Sequence, residues 1–435
     1  LLNVSLHFWH RGKVRGFYPS SEERHRQWRA TDHAGMTTNM FNARLDQLPA
    51  YPFPRLATLL DGIEPGQQPL VMSIGEPQHE PPAMITDAMV KHASLWHKYP
   101  PGAGTPELRD AIKNWLDRRY NLPADMINRD DHVLPVAGTR EALYLIATTV
   151  IPQDQPGPKP KVLLPNPFYQ VYCGAAVLND AEMVPLAAGP DNGFMPDLDQ
   201  IDPSDLDACA LFFLCSPANP QGAIASRDYL EQIIALARKH DFVLAMDECY
   251  ADIYDRSAPT GALEICAAQG GNMDNILVFH SLSKRSSAPG LRSGFVAGDA
   301  KIVKRFTALR SYCSATVPMP VMAASTMLWN DDAHAEANRD LYRAKIDIAE
   351  EVFGNRFGFY RPPGGFFLWL DVGDDEAATR KIWKETGVKV IPGSYLSMTD
   401  ARGNNPGKRY IRIALVHDLE TTREGLTRIA QALDN

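Results

Sequence analysis

Lys284 stands in the string Ser281-Leu282-Ser283-Lys284-Arg285, directly after the apolar run 276–279. A lysine at the end of a buried strand can lose its proton to desolvation, and a free amine can attack an aldehyde to form a Schiff base. Taken alone, the string reads more simply as a solvated surface lysine. Asp247, in Met246-Asp247-Glu248-Cys249-Tyr250, follows the apolar run 242–246. A carboxylate there can keep a pyridinium nitrogen protonated, and Tyr250 can hydrogen-bond a phenolic ring oxygen. A helix cap or a metal ligand is the plainer reading of Asp247.

Three further strings supply polar groups. Ser216-Pro217-Ala218-Asn219-Pro220-Gln221-Gly222 follows the apolar run 210–215. It is a good turn sequence, and such a turn can aim the Asn219 amide into a site. In Gly290-Leu291-Arg292-Ser293-Gly294 the guanidinium lies eight residues after Lys284 and can fork onto a phosphate. Ser281 and Ser283 add hydroxyls, and Gly138 and Thr139, at the head of a helix pattern, add backbone amides and a hydroxyl to the same anion. Arg412, in Tyr410-Ile411-Arg412-Ile413-Ala414, sits inside an apolar strand pattern. A cation there needs a partner, either a structural acid or a substrate carboxylate.

These side chains need a scaffold that ends several strands at one place. Short apolar runs at 132–136, 161–164, 210–215, 242–246, 276–279 and 294–297 alternate with helical patterns at 107–120, from 138 onward, and at 227–240. Wholly apolar strands separated by helices indicate a mainly parallel sheet buried on both faces, an α/β/α sandwich. In such sheets ligands bind at the carboxyl ends of the strands, where Asn219, Asp247 and Lys284 fall. The run 70–74 reads as a further strand, with Gly75-Glu76-Pro77 turning it. A long helical pattern from 318 to about 353 and strands at 366–370 and 410–415 indicate a smaller α+β C-terminal domain. The expected division is a non-core extension over 1–39, an N-terminal arm and small-domain segment over 40–69, a large domain over 70–317 and a small domain over 318–435.

With 435 residues, 45% of them hydrophobic, the chain is long enough for such a core, and its net charge of −8 argues against a broad surface for nucleic acid or anionic membrane. No apolar stretch reaches the roughly 18 residues of a membrane span. The six cysteines form no C-x-x-C pair and read as reduced thiols, so no metal site and a cytoplasmic location are expected. Residues 1–35 are rich in His, Arg and Trp, and lack the apolar core and cleavage site of a secretory signal.

In combination, S-P-A-N-P-Q-G at 216–222, D-E-C-Y at 247–250, S-L-S-K at 281–284, G-L-R-S-G at 290–294 and Y-I-R-I-A at 410–414 resemble the fold-type-I, class I and II aminotransferases over about nine-tenths of the chain. The resemblance implies pyridoxal 5'-phosphate as cofactor. It implies that Lys284 carries the cofactor and shuttles the proton, that Asp247 pairs with the ring nitrogen, and that Tyr250 and Asn219 hold the ring oxygen. Ser281, Ser283, Arg292, Gly138 and Thr139 would surround the phosphate, Tyr169 would stack on the ring, and Arg412, with Gly75 and Asn219, would bind substrate. Tyr99 resembles the tyrosine that reaches the neighbouring subunit's phosphate, which implies a homodimer with shared sites. The chain departs from many members at Ala137, where a serine hydroxyl is absent.

Within the family, 281–299 and the arm 44–56 resemble succinyldiaminopimelate aminotransferases. The implied reaction is a ping-pong exchange, through pyridoxamine phosphate, between N-succinyl-LL-2,6-diaminoheptanedioate and 2-oxoglutarate in lysine and diaminopimelate synthesis. Arg285 is a candidate for a second carboxylate. Aromatic, aspartate or kynurenine-type donors, or a carbon–sulfur lyase, are the alternatives. A cofactor-sensing transcription regulator would need a DNA-binding module ahead of the domain, and 1–35 shows no paired-helix pattern.

Overall fold

Six of the apolar segments and one further strand hydrogen-bond side by side into one sheet. The computed structural model describes residues 41–153, 156–400 and 402–435, so the expected extension over 1–39 lies outside the described residues. Strand β1 (Leu70–Val71) is short. The next seven are β2 (Val133–Val136), β3 (Lys161–Asn166), β4 (Glu182–Ala187), β5 (Cys209–Cys215), β6 (Val243–Asp247), β7 (Ile276–Ser281) and β8 (Gly294–Gly298). They form a sheet in the spatial order β2-β8-β7-β6-β5-β3-β4.

Strands β3 to β7 run parallel to one another, whereas β8 runs antiparallel to both β7 and β2. The sheet is therefore mainly parallel, as the strand composition indicated. The reversal at β8 follows from its connection: between β7 and β8 only the one-turn helix Leu282–Arg285 and a 3-10 turn intervene. Those residues form no crossover helix that would return the chain parallel to β7. The connection carries Lys284 and Arg292. Strand β4 was not legible in the sequence, because Pro185 interrupts it and its residues are half-exposed. An edge strand tolerates both.

Alternate residues of each central strand feed two separate cores. Leu211 and Phe213 of β5 pack with Ala245, Leu277 and Phe279 against helices Thr139–Val150, Gln170–Leu178 and Ala300–Cys313. Phe212 and Leu214 pack with Leu244, Met246 and Val278 against helices Pro106–Tyr120, Arg227–His240 and Met319–Asn330. The strict period of two places a helical layer on each face.

The C-terminal strands are β9 (Phe367–Asp371), β10 (Val388–Lys389), β11 (Ile391–Pro392) and β12 (Tyr410–Ala414). Strands β11, β12 and β9 pair antiparallel, and helices Ala333–Phe353, Asp375–Thr386 and Leu419–Asp434 share a core with them. Strand β1 pairs in parallel with β10, so the segment just past residue 70 joins the C-terminal sheets rather than the main one. The helical pattern over 318–353 is two helices, Met319–Asn330 and Ala333–Phe353. At the break the Asp331 carboxylate accepts the His334 amide at 2.9 Å, an N-terminal capping bond that starts the second helix. All six cysteines are free thiols. Among the described residues no helix is long and apolar enough to cross a membrane.

Candidate active site

The carboxyl ends of β5, β6 and β7 open onto one cavity of about 630 Å³. Its wall includes Asn219, Asp247, Tyr250, Ser281, Ser283, Lys284, Arg292, Thr139, Tyr169, Gly75 and Arg412. Segments separated by hundreds of residues thus converge on one hollow. Gly138 lies directly behind Arg292: a Cβ there would stand 2.1 Å from Arg292 Nη2. Tyr99 does not line the cavity of its own chain and is fully exposed.

Lys284 sits on the single helical turn after β7, and its Nζ donates to the Gly75 carbonyl at 2.7 Å. Burial lowers its pKa to about 8; Cys249 opposes that effect, and Arg412 adds to it. Near neutrality a minor share of this amine is therefore free to act as a nucleophile, and the share grows as pH rises toward 8. Asp247 closes β6 and is buried. Burial raises its carboxyl pKa, opposed by its hydrogen bonds. One of those comes from Tyr172, whose hydroxyl donates at 2.6 Å. A buried carboxylate with neutral donors is suited to a cationic partner.

Around the mouth of the same hollow, Ser281 Oγ donates to Ser283 Oγ at 3.0 Å. Thr139 Oγ1 lies 3.0 Å from Cys249 Sγ. Arg292, in the left-handed region with φ +53°, donates to the Pro289 and Ala137 carbonyls at 2.9 and 3.2 Å. These are neutral partners, so the guanidinium retains its charge for an anion. Tyr169 accepts from Arg140 Nε at 2.7 Å.

Arg412, on β12, is 5% exposed. Its Nη1 donates to Asn219 Oδ1 at 3.0 Å and its Nη2 to the Ser73 carbonyl at 2.8 Å, while its Nε finds no acceptor. Burial lowers its pKa to about 10, and the nearby Tyr250 and Tyr51 oppose the shift. A buried guanidinium in the cavity wall with only neutral acceptors is complementary to an incoming carboxylate.

Arg285 is a correction. Its guanidinium turns away from the cavity and lies 2.7 Å from both Asp252 and Asp332. Two acids already neutralise it, so it offers no charge to a second substrate carboxylate. Tyr172 and Arg140 went unmarked in the sequence. The one signal for Tyr172 was a tyrosine in the otherwise apolar helix Gln170–Leu178.

The donor set fits pyridoxal phosphate. The cavity holds a lysine with a depressed pKa for its aldehyde, a buried carboxylate for its ring nitrogen, and a free arginine with serine and threonine hydroxyls for its phosphate. The profile described as aminotransferase class I and II matches residues 67–429. The chain is 31% identical to the 4-dedimethylamino-4-oxo-anhydrotetracycline transaminase of Streptomyces rimosus, over 79% of this chain and 88% of that one. It is 28% identical to the LL-diaminopimelate aminotransferase of Nitratidesulfovibrio vulgaris, over 89% and 97%. The crystal structure of an aminotransferase from Neisseria meningitidis superposes with a TM-score of 0.85 at 40% identity, over 90% of this chain and 99% of that one. The chain belongs to the class I and II aminotransferases, pyridoxal-phosphate-dependent transaminases of fold type I.

Proposed function

We propose that this transaminase moves an amino group from N-succinyl-LL-2,6-diaminoheptanedioate to 2-oxoglutarate in the cytoplasm, in two half-reactions at the Lys284 cavity. The observation that carries the site assignment is Arg412, a buried guanidinium held only by neutral acceptors in the wall of the same hollow as Lys284. It anchors the α-carboxylate of donor and acceptor in turn, with Asn219 and Gly75 beside it. The donor is supported by the likeness of 281–299 and 44–56 to succinyldiaminopimelate enzymes. A second reading, unsuccinylated LL-diaminopimelate as donor, is favoured by the similarity to an LL-diaminopimelate aminotransferase.

Bound pyridoxal phosphate supplies an aldehyde carbon and a protonated ring that takes up the electron pair left at the substrate α-carbon. Lys284 would hold the cofactor and, as a free amine, would take the substrate's α-proton and deliver it two atoms away, a 1,3 shift. Asp247 keeps the ring nitrogen protonated, and Tyr172 holds that carboxylate in place. Tyr250 and Asn219 hold the ring oxygen, and Tyr169 covers the ring face. Ser281, Ser283, Thr139, Arg292 and the backbone at Gly138 bind the phosphate. The large lobe, whose core includes helix Met319–Asn330, binds the cofactor, and the C-terminal lobe, from helix Ala333–Phe353 onward and joined by β1, brings Arg412. Tyr99 completes the partner subunit's site in a homodimer.

The test is a panel of kcat/KM values with 2-oxoglutarate as acceptor. N-succinyl-LL-2,6-diaminoheptanedioate is expected to exceed LL-diaminopimelate, aspartate, kynurenine and aromatic donors by about tenfold or more, the discrimination that one well-paired polar group supplies. A higher value for another donor overturns the donor assignment. Pyruvate and ammonia released without an acceptor would mark a lyase.

A further inference from the structure

Behind Lys284, on the side away from the cavity, lies a buried polar cluster that the mechanism above does not use. Lys345 and Asn338 both project from helix Ala333–Phe353 and are 1% and 7% exposed. Asn338 Nδ2 donates to the carbonyls of Lys284 and Arg285 at 3.0 and 3.1 Å. Its Oδ1 lies 2.7 Å from His79 Nδ1, and His79 Nε2 is in hydrogen-bond contact with Lys345 Nζ. Lys345 Nζ also donates to the Leu415 carbonyl at 3.2 Å, just past the end of β12.

These contacts fix the proton positions. Two backbone carbonyls can only accept, so the Asn338 amide must present Nδ2 to them and Oδ1 to His79. His79 therefore carries its proton on Nδ1, which leaves Nε2 as an acceptor for Lys345. Lys345 and the ring of Tyr342 are the groups that face His79, and Asp418 is the acid whose field reaches Lys345.

The turn Leu282–Arg285 is four residues long and closes few bonds of its own, the Ser286 amide to the Leu282 carbonyl at 3.0 Å being one. A helix of that length does not hold itself in water. The last carbonyls of a helix need outside donors, and Asn338 is that donor. Ser287 Oγ adds a tie to the His79 carbonyl at 2.8 Å.

We infer that Asn338 is a positioning residue that holds the backbone of Lys284, and that His79 and Lys345 lock its amide and join the lysine turn to the strand bearing Arg412. The inference uses the assignment of Lys284 as the cofactor lysine but not the identity of the donor substrate.

The test is Asn338→Leu in the full chain. In the cofactor-free protein, amide exchange over 282–288 is expected to quicken about tenfold or more while β5 stays unchanged, since the turn loses the donors that keep it closed. In the holoprotein, kcat should fall about tenfold or more, KM should change less than about threefold, and the pH midpoint of the lysine-bound cofactor's absorbance should move. A folded variant with unchanged exchange and kcat overturns the inference. So does one in which exchange rises across the whole sheet, which marks general destabilisation. If Asn338→Leu does not fold, Lys345→Met decides: faster exchange at 282–288 alone supports the relay, and wild-type exchange there overturns it. The exchange experiment involves no substrate, so a wrong donor assignment leaves its outcome intact.

Discussion

At the scale of single residues, the account depends on the charge state of Lys284. Burial holds its pKa near 8, so the amine is mostly protonated below that pH and mostly free above it. The rate at which the cofactor-free protein recaptures pyridoxal phosphate should therefore rise with pH and level off above a midpoint near 8; a rate that falls over that range contradicts the assignment. Lys284→Ala should lose about four orders of magnitude or more in transamination, since nucleophile and proton carrier go together. Tyr172→Phe removes the 2.6 Å hydrogen bond to Asp247. A bond to an ionised group is worth roughly 1.5–3 kcal/mol, so kcat should fall by about tenfold to a hundredfold, measured at saturating substrate. Lys284, Asp247, Asn219, Arg292 and Arg412 were legible because each sits in a short string at or inside an apolar strand. Tyr172 was not, because what gives it a role is a contact with a residue 75 positions away. Arg285 misled for the same reason: its neighbour in sequence is the reactive lysine, but its neighbours in space are Asp252 and Asp332.

At the scale of elements, the site is a product of how strands end. Strands β5, β6 and β7 stop at Cys215, Asp247 and Ser281, and each following turn faces the hollow. The head of helix Thr139–Val150 meets Arg292 from the other side. Gly138 has φ +93° and no room for a Cβ beside Arg292. Gly138→Ala should push that guanidinium out of place and weaken binding of pyridoxal phosphate about tenfold or more, as expected when one charged hydrogen bond is lost. Cofactor titration of the cofactor-free variant measures this, and unchanged affinity would show that Arg292 does not serve the phosphate. The parallel strands were readable from their continuous apolar runs. The antiparallel turn of β8 and the edge strand β4 were not. The first depends on the length and fold of a connection, and the second on an edge position that composition does not report.

At the scale of the whole molecule, two sheets separated in space bring Lys284 and Arg412 to one cavity, from positions 128 residues apart. The alternation of apolar runs and helical patterns made the layered large lobe legible; the pairing of β1 with β10 was hidden, because two residues carry no periodicity. Tyr99, fully exposed in the single chain, is expected to face the partner's phosphate. Tyr99→Phe should leave a dimeric mass in light scattering while loosening cofactor binding; a monomeric wild-type protein would contradict the shared site. The most direct test of the central claim is the absorbance of the purified holoprotein, recorded before and after N-succinyl-LL-2,6-diaminoheptanedioate and again after 2-oxoglutarate. The account predicts that the donor bleaches the visible band of the lysine-bound cofactor and that 2-oxoglutarate restores it. A band that this donor leaves unchanged would contradict the proposed reaction, and the absence of any band after adding pyridoxal phosphate would contradict the site itself.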